Sequence, residues 1–167
     1  NSLLKSILIY IYPFMADNYV NITGHGCSAA NQLYTKTTST SSGYSTYRSA
    51  DNRFEIFMIL WGEQYRWLLQ GAKSDGSFYF QTTNPTIADP GGSQVLGSIC
   101  ATEPTCGKTK AHLPAMTFNT RNCNSSTRAK VGGWGGSATI TKFNCPSGEV
   151  PSGTTVSTCG PPGCEPG

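Results

Sequence analysis

Residues 53–70 read RFEIFMILWGEQYRWLLQ and decide the predicted fold, because two apolar runs flank the pair Gly62-Glu63. Glycine at the first of two turn positions suits a type II′ β-hairpin. In the register of that turn, one face is entirely apolar and contains the facing pairs Leu60 with Tyr65, Met58 with Trp67, and Ile56 with Leu69. The opposite face carries Glu55 and Arg66, so a slip by one residue would turn both charges inward. The stretch therefore predicts a central antiparallel hairpin that lies on a core.

Segments on both sides of this hairpin also have the pattern of strands. Residues 18–23 alternate in polarity, and residues 32–37 and 44–49 are predicted to form a hairpin around the Ser/Thr-rich turn TTSTSSG. Later segments with strand-like composition are residues 77–83, 114–120, 126–133 and 137–145. We therefore expect an all-β fold, an antiparallel β-sandwich or meander with disulfides.

The chain of 167 residues is expected to form one main domain over residues 1–145, which a shift in composition near residue 112 could divide. Residues 146–167 are rich in Pro, Gly, Ser and Thr and have no apolar periodicity. This composition is typical of an extended tail or linker.

Charge and composition limit the function classes. Charged residues make up 13% of the chain, which is about half of the usual share, and Gly, Ser, Thr and Asn take their place. This profile is typical of secreted all-β domains. The net charge of +3 comes from Lys and Arg residues that are scattered along the chain, so we predict no binding of nucleic acid.

The seven cysteines indicate disulfides formed in an oxidising compartment, because no grouped Cys and His residues have the spacing of a metal site. The spacings that predict local loop closures are Cys100–Cys106, Cys123–Cys145 and Cys159–Cys164. Because seven is odd, one cysteine is expected to be free or bonded to another chain. Cys27 is a candidate, although it could equally pair with Cys100 or Cys106 across the sheet.

The N-terminal segment is predicted to contain a strand with two apolar faces, formed by Ile7, Leu8, Ile9, Tyr10, Ile11 and Tyr12. It is too short, and too close to Pro13, for a membrane span. Two interpretations follow from the two apolar faces. The strand is either a central core strand of its own domain or a strand donated to the sheet of a neighbouring subunit.

Asn21 and Asn124 each begin an N-glycosylation acceptor sequence, Asn-Ile-Thr and Asn-Ser-Ser. Alternation in residues 18–23 places Asn21 on the predicted outward face, which would suit a glycan. Two such sites in a cysteine-containing chain favour a secretory route and an extracellular location.

A pattern of aromatic spacings runs through the predicted meander. It consists of N-x-L-Y-x-K at residues 31–36, G-x-x-x-Y at residues 43–47 and Y-R-W at residues 65–67, followed by F-Y-F and N-P. Over about residues 20–100 this resembles an aromatic-rich β-meander module that recurs in secreted and cell-surface proteins of protists and invertebrates. Residues 31–34 depart from the module's common N-G-x-Y. The resemblance implies an extracellular structural or adhesive role and supplies no catalytic residues.

Residues 132–136 read GGWGG, and glycine on both sides of Trp134 lets the backbone approach another group closely. The segment is either a wide turn whose Trp plugs the edge of the core, or a site at which the indole stacks on a sugar ring. The aromatic residues predicted to be available for sugar stacking are Trp61, Trp134, Tyr34 and Tyr47.

No arrangement of residues indicates catalysis. Glu55 and Glu63 lie on the same hairpin, but an ion pair with a neighbouring Arg explains Glu55 more simply than a glycosidase pair does. His25 and Cys27 would not form a thiolate pair. We therefore expect a protein that is not an enzyme and that has neither cofactor nor metal.

The sequence therefore favours an extracellular structural subunit that assembles with copies of itself, head to tail, into a glycosylated filament or matrix. Donation of the strand at residues 7–12 would provide the contact. The alternative is a carbohydrate-binding module, a lectin or adhesin.

Overall fold

The computed structural model describes residues 17–72, 95–100, 108, 110–153 and 158–163. Within them, eight antiparallel strands are hydrogen-bonded in sequence order and close into a barrel. The strands are β1 Tyr19–Thr23, β2 Leu33–Ser41, β3 Tyr44–Ser49, β4 Phe54–Trp61, β5 Gln64–Gly71, β6 Val95–Cys100, β7 Thr117–Cys123 and β8 Lys130–Phe143. The predicted all-β class with disulfides is confirmed, but the sheet is a closed barrel and not the predicted sandwich or open meander.

Two short elements accompany the barrel. A 3-10 helix, Ser28–Ala30, connects β1 to β2. Strands β9 Val150–Pro151 and β10 Cys159–Gly160 form a separate two-stranded sheet. The described part of the predicted tail therefore contains a small sheet of its own.

Pairing of β8 with β1 closes the barrel, and polar contacts tie the strand ends together at this point. The Asn18 backbone N–H donates to Asn144 Oδ1 at 2.7 Å, and Asn144 Nδ2 donates to Asp17 Oδ1 at 3.1 Å. Lys142 Nζ lies 3.3 Å from Asp17 Oδ2. The chain therefore enters and leaves the barrel at the same place.

The central hairpin has the predicted register. Strands β4 and β5 pair without interruption from Phe54 opposite Gly71 to Trp61 opposite Gln64. Gly62 has a φ of +64°, as the first position of a type II′ turn requires.

The predicted apolar face of this hairpin points into the barrel. Ile56, Met58, Trp67 and Leu69 are all buried there. Burial of one such side chain stabilises the fold by about 1.5–3 kcal/mol. The interior is thus a packed core among the described residues.

The predicted Ser/Thr-rich turn between β2 and β3 is wrong. Strand β2 extends through most of that segment, and the turn is only Ser42-Gly43, with φ angles of 53° and 87°. Threonine favours strands because its branched side chain packs well on a pleated surface. A hydrogen bond of 2.6 Å between the hydroxyl groups of Thr37 and Thr46 joins the two strands.

The predicted break between two strands at residues 132–136 is also wrong, because this segment belongs to the single strand β8. Thr120 faces Gly136 and Asn122 faces Val131. Between these two pairs, β7 advances by two residues and β8 by five, so β8 carries three extra residues. The glycines form a wide bulge inside a strand.

The disulfides correct the predicted pairing. Cys27 bonds to Cys123, and Cys145 bonds to Cys159. The predicted local closures Cys123–Cys145 and Cys159–Cys164 are therefore wrong, and so are the predictions that Cys27 is free or pairs with Cys100 or Cys106. The barrel brings Cys27 to Cys123 across 96 positions, which leaves Cys145 to bond to Cys159.

Several predictions lie outside the described residues. They are the strand at residues 7–12, the strand at residues 77–83, and the bond between Cys100 and Cys106. Within the described ranges, no helix is long and apolar enough to cross a membrane.

Candidate functional site

A groove crosses the outer surface of strands β4 to β8 and has a volume of about 490 Å³. Its lining residues are Trp61, Gln64, Arg66, Ser98, Asn119, Arg121 and Trp134. We call it the tryptophan groove. A volume of this size is within the usual range for small-molecule sites, about 300–1,000 Å³.

Strands β4 and β5 place the first part of the groove. Trp61 and Gln64 face each other as the last pair before the turn. Arg66 is two residues further along β5, on the same outward face, because side chains alternate along a strand. Trp61 also packs against an outward apolar cluster, which consists of Phe57, Ile59, Leu68 and Val95. This packing supports one side of the groove.

Two neutral partners hold the guanidinium group of Arg66 in place. Its Nη1 donates to Ser98 Oγ on β6 at 3.2 Å, and its Nη2 donates to Gln64 Oε1 at 3.0 Å. Both contacts lie along the groove, so the positive charge is kept within it.

The bulge of β8 places the other end of the groove. The guanidinium carbon of Arg121, on β7, lies 4.1 Å from the centre of the Trp134 ring. Arg121 Nη1 donates to the backbone carbonyl of Gly132 at 3.2 Å. A cation–π contact and a hydrogen bond therefore fix the bulge and its indole. Trp134 nevertheless stays 42% exposed.

The bulge depends on glycine at particular positions. Gly132 has a φ of +80°, a left-handed conformation in which other residues are strained. At Gly136, an added Cβ would contact the side chain of Thr120 and the backbone of Gly26. Gly133 has open space around it. The predicted close approach of the backbone is therefore found at Gly136 and not at Gly133 or Gly135, the two glycines next to Trp134.

Among the described residues, the lining combines two indole rings, two guanidinium groups and three neutral polar side chains, with no carboxylate. Flat apolar rings stack on the apolar faces of ligands, while amide, hydroxyl and guanidinium groups form hydrogen bonds. Such a surface can hold a ligand that is apolar on its faces and polar at its edges.

Two of the four predicted sugar-stacking residues belong to the barrel interior. Tyr34 and Tyr47 are buried, and their hydroxyl groups donate to the backbone carbonyls of Ala30 at 2.8 Å and Asp17 at 3.0 Å. Burial and the nearby Asp51 raise the pKa of Tyr34 well above its usual value. Burial and then Asp17 raise the pKa of Tyr47 to about 12. Both residues are therefore unavailable to a ligand.

The predicted exposure of Asn21 is wrong as well. Asn21 lies in β1, which pairs with β2 and β8, and it is only 3% exposed. A side chain this deeply buried leaves no room for a glycan. Asn124 is exposed in a turn, where its Oδ1 accepts from the backbone N–H groups of Ser126 and Thr127. It stays a predicted glycosylation site.

The structure does not bring Glu55 and Glu63 together. Glu55 pairs with Gln70 across the hairpin and with Arg48 on β3, whereas Glu63 lies in the turn. Burial raises the pKa of Glu55 despite the opposing effects of Arg48 and Gln70. In the described part of the chain, no group of three or more His, Cys, Asp or Glu residues could hold a metal ion.

His25 and Cys27 are structural. His25 Nδ1 accepts from the Cys27 backbone N–H at 2.9 Å, and the Cys27 sulfur is bonded to Cys123. Burial lowers the pKa of His25 to about 4.

Sequence reasoning missed most of the polar lining. Alternation along β5 places Arg66 on the same outward face as Gln64, which faces Trp61. The sequence therefore contained the signal for the β4–β5 side of the groove. Ser98 and Arg121 had no such signal, because β6 was not predicted and the β7–β8 register depends on the bulge.

Comparisons with protein-family models, with curated proteins and with solved structures find no match for this chain. The resemblance to the aromatic-rich meander module stays a prediction.

Proposed function

We propose that this protein is a carbohydrate-binding module whose site is the tryptophan groove. The observation that carries the proposal is the convergence of Trp61 and Trp134, distant in sequence, on one groove with hydrogen-bonding side chains between them. Sugar rings have apolar C–H faces and polar hydroxyl edges, which match the two kinds of lining residue.

The dimensions of the groove favour an oligosaccharide. Trp61 and Trp134 lie on the first and last of five neighbouring strands. At about 4.8 Å per strand, four steps follow the barrel surface for roughly 19 Å. This length accommodates several sugar rings, with one indole near each end.

Rigid support also favours binding. The side chains of Arg66 and Arg121 have fixed partners, and both tryptophans project from the barrel sheet. A site on packed strands loses little side-chain entropy when a ligand binds.

Location and glycosylation are part of the same proposal. The two disulfides favour an oxidising extracellular compartment. The exposed acceptor Asn124 would carry a glycan on the secretory route.

Assembly into a filament stays a prediction, because its strand at residues 7–12 lies outside the described residues. Strand donation needs an unpaired sheet edge to receive the strand. Each barrel strand is hydrogen-bonded to a neighbour on both sides. Among the described residues, the receiving edge could only be in β9 or β10, which have two residues each.

A glycan array with the wild-type protein and the variants Trp61→Ala and Trp134→Ala tests the proposal. We expect defined oligosaccharide hits, and about a tenfold loss of affinity in each variant, which corresponds to about 1.4 kcal/mol. Val131→Ala is the matched control, because Val131 is the other exposed large apolar residue of β8, at 55%. An array without hits, or equal binding by all three variants, would contradict the proposal.

A further inference from the structure

The charge of the tryptophan groove points to a narrower class of ligand. We propose that the groove binds an anionic saccharide, a sugar chain that carries sulfate or carboxylate groups. This inference rests on the proposed function.

Arg66 supplies the first cationic position. A guanidinium group has five N–H donors, and the two contacts of Arg66 to Ser98 and Gln64 use two of them. Both partners are neutral, so they orient the guanidinium group without cancelling its charge. Sulfate and carboxylate oxygens are the acceptors that match the remaining donors best.

Arg121 supplies the second cationic position. Its described contacts are the carbonyl of Gly132 and the ring of Trp134, which are also neutral. Its Nε is buried without a hydrogen-bond partner among the described groups. A buried polar group without a partner is unfavourable for the fold. An anion in the groove would interact with the outer N–H groups of Arg121, of which only Nη1 has a described hydrogen bond.

None of the described lining residues is a carboxylate, so the charged groups that they present are all positive and favour an anionic ligand. The groove contains Arg66 and Arg121 with neutral Gln64, Ser98 and Asn119 between the indoles. Two cations in one groove repel each other, and an anion lying between them relieves that repulsion. Because both tryptophans are at the ends, the sugar rings would stack there while the anionic groups lie between them.

A single-stranded nucleic acid also combines flat rings with anions, but the sequence has no cluster of Lys and Arg residues of the kind that binds a phosphate backbone. Its net charge is only +3, and its Lys and Arg residues are scattered. Proteins that bind single strands combine stacking aromatics with a positively charged groove along the whole backbone. The groove offers two cationic side chains, Arg66 and Arg121. They match a sugar chain with an anionic group on some of its rings better than a nucleic acid with a phosphate at every nucleotide.

The test is calorimetric titration with four probes of similar length. They are a chondroitin sulfate hexasaccharide, a hyaluronan hexasaccharide, neutral chitohexaose and a thymidine hexanucleotide. We expect at least one anionic hexasaccharide to bind about tenfold more tightly than chitohexaose at about 50 mM NaCl. This advantage should disappear at about 300 mM NaCl, where screening is stronger. Binding of both anionic probes would show that a carboxylate is sufficient, and binding of chondroitin sulfate alone would assign the sulfate.

The variants Arg66→Gln and Arg121→Gln should each lose about tenfold in affinity for the anionic probe, with the affinity for chitohexaose unchanged. Arg48→Gln is the matched control, because it removes the same charge from an exposed position on β3, outside the groove. Arg66→Lys keeps the charge and should retain most of the anion preference, and melting curves of all variants confirm folding.

The two failures are distinguishable. If chitohexaose binds as tightly as the anionic probes at both salt concentrations, the inference is overturned and the proposed function stands. If no saccharide binds, both are overturned. Tighter binding of the hexanucleotide than of any saccharide would also overturn both.

Discussion

The β4–β5 and β7–β8 pairs are both antiparallel ladders that contribute to the tryptophan groove, yet they differ in regularity. The β4–β5 ladder runs without a break from Phe54 to Trp61. The β7–β8 ladder is interrupted between Thr120 and Asn122, where β8 carries three extra residues. Each pair has one tryptophan near its centre. Trp67 of β5 is 1% exposed, and Trp134 of β8 is 42% exposed.

This difference shows how the same barrel can bury one tryptophan and expose another. An uninterrupted ladder keeps a strict alternation, so every second side chain is directed into the core. Extra residues in one strand release the backbone from that alternation and turn a side chain outward. The regular pair therefore keeps Trp67 in the core, whereas the bulge of the irregular pair turns Trp134 towards solvent.

The largest effect should come from removing the cross-link at the end of β7. The double variant Cys27→Ala/Cys123→Ala opens a bond between residues separated by 96 positions. A loop of about 100 residues predicts a loss of about 4–5 kcal/mol in the free energy of unfolding, measured by urea denaturation. Hydrogen exchange should show greater loss of protection in β7 and β8 than in β4 and β5.

The matched control for this prediction is Cys145→Ala/Cys159→Ala, whose residues are separated by 14 positions outside the barrel. Its effect on the free energy of unfolding should be smaller, about 3 kcal/mol, because the loop that this bond closes has only about 15 residues. Equal losses in the two double variants would contradict the role assigned to the Cys27–Cys123 bond.

The two tryptophans provide the most direct test of the comparison. Trp67→Ala removes a buried ring, whose Nε1 donates to the Ala111 carbonyl at 3.1 Å, and should cost about 4 kcal/mol of unfolding free energy. Trp134→Ala should cost only about 1 kcal/mol, because the ring is 42% exposed and the variant loses mainly the cation–π contact with Arg121. Chemical denaturation followed by circular dichroism measures both. A loss of similar size in Trp134→Ala would mean that the bulge supports the core.

Acid should weaken the structure through His25, which contacts Phe118 of β7 edge-on. Its pKa falls from 6.5 to about 4 on burial, so the folded state favours the neutral ring. The contribution of the neutral ring to stability is complete above pH 6.5 and is lost as the pH falls towards 4. The expected loss is about 3 kcal/mol, at 1.36 kcal/mol per pKa unit.

The variant His25→Asn isolates this effect. Its side-chain oxygen can still accept the Cys27 backbone N–H, but it does not titrate. Stability curves measured by denaturation between about pH 7 and about pH 4 should therefore be flatter for the variant than for the wild type. Parallel curves would show that His25 is not the titrating group.

The smallest effects should distinguish two glycines of β8. Gly136→Ala places a methyl group against the Thr120 side chain and the Gly26 backbone, and should cost about 2 kcal/mol of unfolding free energy. Gly133→Ala meets open space, and its effect should lie within about 0.5 kcal/mol. Thermal melting of the two variants measures the difference. Equal melting temperatures would mean that the bulge adapts without cost.

Sequence reasoning succeeded where short-range signals agreed. In the central hairpin, the alternation and the turn glycine Gly62 specify the same register, and that register is confirmed. At residues 132–136, the glycines indicate a turn locally, but the pairing with β7 keeps the segment in a strand. Closure of the barrel and the Cys27–Cys123 bond depend on contacts between distant segments, which no local pattern shows.

The same distinction explains the outcome for the candidate site. Trp61 and Trp134 were predicted to be available, and the structure places both in the groove. Tyr34 and Tyr47 were predicted alongside them, but they belong to the interior, because an aromatic residue in a strand suits either face. The cationic lining could not be predicted, because it depends on the positions of β6 and β7, which bring Ser98 and Arg121 next to Arg66 and Trp134.

Closure of the barrel between β1 and β8 also has a mechanical consequence. Asn18 and Asn144 lie side by side, where the chain enters and leaves the barrel. A force that pulls these two points apart acts across the β1–β8 ladder at its end, so its hydrogen bonds carry the load one after another. The barrel should therefore open by peeling at low force. Tension applied between Thr23 and Phe143, at opposite ends of the same ladder, would instead load its bonds together.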